Sequence, residues 1–167
     1  QLTWSFALVS LLAVLASGLF VYQHQRSFLY KQGVAQARNL AQSLAVSSSS
    51  WLVANDLAGL QEVTQGFADT DDLKFAAVVS RRGEVLASTQ AGQVGRYFTD
   101  DVSQRMLRAP PQPLELVSQD NLIDVAVPIR SGQRHVGWAR IEMSQATANE
   151  NLQHLTFVGL VFAVVAA

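Results

Sequence analysis

Three residues in the C-terminal half of the chain can do chemistry together. Asp124 is the acidic residue of the otherwise apolar stretch Leu122–Ile129, while Trp138 and Arg140 occupy alternate positions of His135–Met143. If both stretches are strands, alternation puts Asp124 on one face with Leu122 and Ala126, and Trp138 on one face with Arg140. A carboxylate, a guanidinium and an aromatic wall suit a small acid or amine, held by charge-assisted hydrogen bonds against apolar surface. The same residues equally describe an Asp124–Arg140 ion pair inside the fold with Trp138 as core. Both readings stand at this point.

Other chemistries find little support. The chain has no Cys, so disulfides and thiolate metal sites are excluded. A net charge of −1 gives no electrostatic case for nucleic acid. The Ser47–Ser50 run lacks a nucleophile elbow, and there is no phosphate loop and no HExxH. No catalytic residue, no metal ligand and no cofactor is expected, and any enzyme activity is expected to lie beyond Ala167. His24 and His154 sit beside the two apolar ends, as interfacial polar residues or, alternatively, as joint haem or metal ligands or a pH sensor. His135 follows a turn and is expected to be exposed.

The elements that must position these residues can be read from periodicity. From Gln23 to Leu52 only Gly33 interrupts a helical pattern, and Ala37, Leu40, Ala41 and Leu44 form its apolar stripe. Ser47–Ser50 is poor helix material and is expected to loosen the end of this rod. Asp56 can cap a second helix that buries Leu57, Leu60, Val63, Thr64 and Phe67. Leu73–Ser80 and Glu84–Ser88 read as a hairpin around Ser80-Arg81-Arg82-Gly83. Thr99 can cap a short helix that Pro110, Pro111 and Pro113 end. Leu114–Ser118, Leu122–Ile129 and His135–Met143 complete five strands, and Thr147 with Glu150 fits the capping box of a last helix. The expected fold class is α+β.

All Lys, Arg, Asp and Glu fall between Arg26 and Glu150. Leu2–Tyr22 is an uncharged, mostly apolar run that as a helix spans about 30 Å, the thickness of a bilayer core. Residues 1–23 are therefore expected to be a first transmembrane helix and 155–167 the start of a second, truncated one. The middle domain is expected over 24–154, divided into a long helix (24–54), an α+β core (55–143) and an exit helix (144–154). The chain is then a fragment of a longer protein. Arg26, Lys31 and Arg38 argue mildly against an external middle domain, but long domains translocate largely regardless of charge. Ala13 and Ser17 form a small-xxx-small pair that permits close helix approach, or are lipid-facing background.

With these elements in place, the chain resembles a known family. A long helix leaving the membrane, then FAAVVSRRGEVLAST, GQVGRYF and IDVAVPIRSGQRHVGWARIEM, then a helix returning to the membrane, resemble PAS-like sensor domains of the single-module Cache type. Such domains belong to bacterial histidine kinases, diguanylate cyclases or phosphodiesterases, and chemoreceptors. The resemblance covers roughly residues 24–154. It implies a five-stranded antiparallel sheet with the long helix on one face, and a small-molecule pocket on the other under the Gly92–Phe98 loop. It therefore adds Arg96 and Tyr97 to Asp124, Trp138 and Arg140 as candidate ligand-binding residues. It also implies a homodimer through the long helix, a periplasmic domain of an inner-membrane protein, and a two-component or cyclic di-GMP output. A non-sensing dimerisation or spacer domain is the alternative function.

Overall fold

The structure is a computed structural model that describes residues 2–119 and 122–145, with side chains described from Phe28 onward except at Ser118 and Gln119. By its contacts the chain divides into two units, and the one over Gly33–Ala146 holds the whole sheet. Helix α1 runs from Leu2 to Ala54 and α2 from Leu57 to Gln65. Strands β1 (Leu73–Ser80) and β2 (Val85–Ser88) follow, then α3 (Asp101–Arg108). Strands β3 (Leu114–Gln119), β4 (Leu122–Ser131) and β5 (Arg134–Ser144) close the described part. The sheet is five-stranded in the order β2-β1-β5-β4-β3. Every pairing in it is antiparallel. The α+β expectation and the long N-terminal helix are met.

Its central strand, β5, pairs with β1 and β4, and residues on both faces of the sheet are buried. Alternation sorts the two faces. On one, Phe75, Ala77, Val79, Val85, Leu116, Ala126 and Trp138 form a buried cluster with Met106 of α3. On the other, Ala76, Val78, Ile123, Val125, Val127, Ile129, Ala139 and Ile141 are buried as well. That second face meets α1, which buries Ala37, Ala41, Leu44, Ala45 and Ser48 along a stripe of mostly small residues. Small side chains let the helix approach closely. At Gly33 an added Cβ would lie 2.7 Å from Ile123 Cδ1, so that side chain would have to shift.

The serine run does not loosen α1. The helix continues through it to Ala54, the Ser48 side chain is fully buried, and Ser49 Oγ donates to the Arg130 carbonyl at 2.7 Å. Low helix propensity is outweighed here because a compact hydroxyl fits where a larger side chain would hold the helix off the sheet. Asn55 then takes a left-handed φ of 55° and turns the chain. Asp56 caps α2 by accepting from the Gly59 amide at 3.0 Å. Of the expected α2 core, Leu60 and Thr64 are buried but Leu57 is 49% exposed. Gln61 pairs with both backbone groups of Ser88, at 2.8 and 3.0 Å, and so occupies part of the open edge of β2. The β1–β2 turn is as expected, with Gly83 at φ 90° donating to the Ser80 carbonyl at 3.0 Å.

Among the described residues no helix is long and apolar enough to cross a membrane. The backbone is helical from Leu2, but the side chains of the apolar run 2–22 fall outside the described set, as do His24, Ala13 and Ser17. The expected exit helix beyond Gln145, His154 and the run 155–167 likewise lie outside the described residues.

Gly137 tests how closely β1 and α1 approach β5. A Cβ there would lie 2.7 Å from the Val79 carbonyl oxygen and 3.0 Å from Leu52 Cδ2. We expect Gly137→Val to destabilise the domain by about 1–3 kcal/mol through overpacking, read as a lower urea midpoint with an unchanged slope. An unaltered midpoint would show that β1 and the Leu52 side chain of α1 can both give way at no cost.

Candidate functional site

On the α3 face of the sheet, one row of residues runs Ala77–Arg140–Ala126 across β1, β5 and β4. The next row runs Phe75–Glu142–Asp124. The two alanines beside Arg140 leave space for its long side chain to lie along the sheet. The guanidinium reaches Asp124, with Nε 3.0 Å from Oδ1 and Nη2 2.6 Å from Oδ2. This is a two-pronged pair, the strongest form of arginine–carboxylate contact. Asp124 is 1% exposed and Arg140 8%, so the pair sits almost outside water.

Arg140 also links the sheet to α3. Its Nη1 donates to Ser103 Oγ at 2.8 Å, and that hydroxyl donates to Asp100 Oδ2 at 2.6 Å. Asp100, not Thr99, is the helix cap, and its other oxygen accepts from the Ser103 amide at 2.9 Å. The cap of α3 is therefore one hydroxyl away from the guanidinium. Phe98 lies over the guanidinium with its ring centre 5.0 Å from Cζ, and meets Phe75 edge-on at 6.1 Å.

The charges follow this geometry. Burial works against the charge on Arg140, but the Asp124 hydrogen bonds and charge, helped by Asp100 and Glu142, outweigh it and raise its pKa further. Burial also opposes the charge on Asp100, and there the Ser103 hydroxyl and amide, then Arg140, prevail and hold the carboxyl below its ordinary value. Glu142 is different. Burial and then the neighbouring Asp124 raise its pKa, with Arg140 and Lys74 only partly opposing. Asp124 takes the guanidinium, and Glu142 is the carboxylate left in excess beside it.

Of the five candidate ligand-binding residues, the structure brings Asp124 and Arg140 into direct contact, and Trp138 is core on the same face. The described geometry is thus that of the structural ion pair, and whether these groups bind a ligand is a separate matter. Arg96 and Tyr97 are exposed. The Tyr97 hydroxyl donates to Glu84 Oε2 at 3.3 Å, and the Arg96 carbonyl accepts from the Val85 amide at 2.8 Å, so this loop extends the β2 edge. The residue of that loop that meets Arg140 is Phe98. Sequence reasoning missed Phe98, Asp100 and Ser103 as partners. Only Asp100 carried a signal, as a helix-start residue. A groove of about 300 Å³ lined by Gln42, Val46, Pro111, Pro113, Pro128 and Arg130 contains none of these groups.

The pair predicts a distinctive mutational pattern. Asp124→Leu or Arg140→Met alone leaves a buried charge without its partner and should cost about 3–5 kcal/mol. The double variant should cost much less than the sum of the two. Urea unfolding of the three variants measures this, and additive losses would show that the two charges do not interact. Ser103→Ala should cost about 1–3 kcal/mol, because it strips a partner from both Arg140 and Asp100.

Solved structures share this fold. The sensor domain of the histidine kinase DctB from V. cholerae superposes with a TM-score of 0.58 at 13% identity, over 86% of this chain and 60% of that one. The E. coli DcuS sensor domain gives 0.53 at 18% identity, over 75% of this chain and 98% of that one. A domain of a sensory box/GGDEF family protein from Vibrio parahaemolyticus gives 0.60 at 9% identity, over 78% and 60%. The chain thus spans 60% of the length of the first and third of these domains. At such identities the likeness is one of fold. No curated protein sequence is significantly similar to the chain. Residues 24–156 match the family described as single cache domain 3, and the chain belongs to that family of sensor domains.

Proposed function

We propose that this chain is the signal-input region of a dimeric bacterial receptor of the inner membrane. Its domain senses a small molecule on the periplasmic side. It passes the signal through α1 and the membrane to an output domain, a histidine kinase or a cyclic di-GMP enzyme. The segment itself does no catalysis. The apolar run 2–22 serves as the membrane anchor, and α1 pairs with its copy in a second chain.

The observation that carries this reading is the polar seam beneath α3, in a domain of a sensor family. The cap of α3 is joined to the sheet through Ser103, Arg140 and Asp124. Such a seam can exchange one hydrogen-bonding partner for another, where apolar packing can only open or close. A ligand with a carboxylate or an amine competes for Arg140 or Asp124, with Trp138 and the Arg96–Tyr97 loop as further contacts. The free energy it delivers is its difference in affinity between two states, typically about 1–3 kcal/mol.

One observation favours a second reading, a spacer that dimerises but does not sense. Asp124 and Arg140 already satisfy each other. A thermal-shift screen of small acids and amines against the chain in detergent separates the two. A ligand at a hundred times its Kd adds about 2.7 kcal/mol to stability, a rise of several degrees. Cysteines placed at the exposed Val46 and Val53 of α1 should then cross-link at a rate that changes with that compound. No hit, or unchanged rates with a bound compound, favours the spacer.

A further inference from the structure

His135 was expected to be exposed and is instead partly enclosed. Its Nε2 is buried and has no hydrogen-bond partner among the described residues. The ring meets Trp138 edge-on, with centres 4.9 Å apart and planes at 75°. The cause is a bulge. Strands β4 and β5 pair Ile129 with Gly137 and then Arg130 with His135, so β5 carries one extra residue, Val136, between them. That extra residue turns the imidazole toward Trp138, a fully buried member of the α3-side core.

The charges around this ring are one-sided. Arg81 acts on it from the β1–β2 turn and Arg130 from β4. Arg134, the residue before it, is exposed. The carboxylate of the same turn, Glu84, is hydrogen-bonded to the Tyr97 hydroxyl. An imidazolium here would lose solvation, gain two like-charged neighbours, and press against the edge of a core tryptophan.

We propose that His135 is a proton-operated weak point of the β4–β5 hairpin: neutral, it completes the packing against Trp138, and protonated, it loosens that end of the sheet. The proposal does not depend on the sensor reading. Burial first, then Arg81 and Arg130, lower the pKa of the ring below 6.5, and a backbone contact at Gly137 only partly opposes this. A folded-state value below the unfolded one fixes the sign. The stability that His135 contributes is fully present above about pH 6.5 and is lost as pH falls through the folded value.

The test is a pH titration of the full chain in detergent micelles by NMR, with the His135 ring signal assigned through His135→Gln. The ring should titrate below 6.5. The Trp138 indole N–H should move with the same midpoint. Arg81→Gln, a change at an exposed turn, should raise that midpoint. In melting experiments His135→Phe should reduce the loss of Tm between about pH 7 and pH 5. The proposal is overturned if His135 titrates at or above its ordinary value, or if the Trp138 signal does not follow it. An unmoved midpoint in Arg81→Gln also overturns it, and that variant keeps the test intact should His135→Phe not fold.

Discussion

A guanidinium in the middle of a sheet must be neutralised where it stands. Arg140 lies on the central strand, 8% exposed, and cannot shed its charge by releasing a proton. Much of the α3 face follows from that. Asp124 must lie on the adjacent strand and within reach of a two-pronged contact, which fixes the pairing of β4 with β5. A slip of one residue would carry Asp124 to the α1 face and leave both charges stranded. The flanking positions must be small, and they are Ala77 and Ala126. The remaining donors need acceptors, so α3 is set down with Ser103 over the guanidinium and Asp100 behind it. Phe98 then closes the seam against water.

The opposite face obeys a different rule. There α1 lies on the sheet by virtue of what its side chains lack: Ala37, Ala41, Ala45 and Ser48 are small, and Gly33 and Gly137 have no Cβ where one would crowd Ile123 and Leu52. Close packing of this kind is stiff, because interiors at crystal-like density transmit small shifts instead of absorbing them. Strand β5 belongs to both systems. Gly137, Ala139 and Ile141 point to the α1 face, while Trp138 and Arg140 point to the α3 face. One strand therefore carries side chains of both faces on alternate residues.

The fold is shared with sensor domains of histidine kinases and a GGDEF protein at 9–18% identity. What a sheet of this kind needs is an alternating central strand, small residues under the long helix, and a cover for the other face. Many sequences satisfy that. The groups that line the cover are free to differ. Here the cover is fastened by charge-assisted hydrogen bonds around Arg140, with Glu142 as the carboxylate left over.

The sequence alone determined the elements and their order. Period-2 alternation in Leu73–Ser80 and His135–Met143, the 3.6-residue stripe Ala37–Leu44 and the glycine of the Ser80–Gly83 turn are local signals, each set by backbone sterics within a few residues. They were enough to state five strands, a long first helix and Asp124 and Arg140 as candidate partners. The tertiary structure decided what those signals could not carry. That Ser47–Ser50 stays helical depends on the sheet beneath it. That Arg96 and Tyr97 extend the β2 edge while Phe98 covers Arg140 depends on how the loop lies over α3. That His135 is enclosed depends on a bulge whose extra residue has no signature of its own. Ser103 becomes a partner of Arg140 across 37 residues of chain. Contacts of that kind arise from the path of the chain in space, and no spacing along the sequence records it.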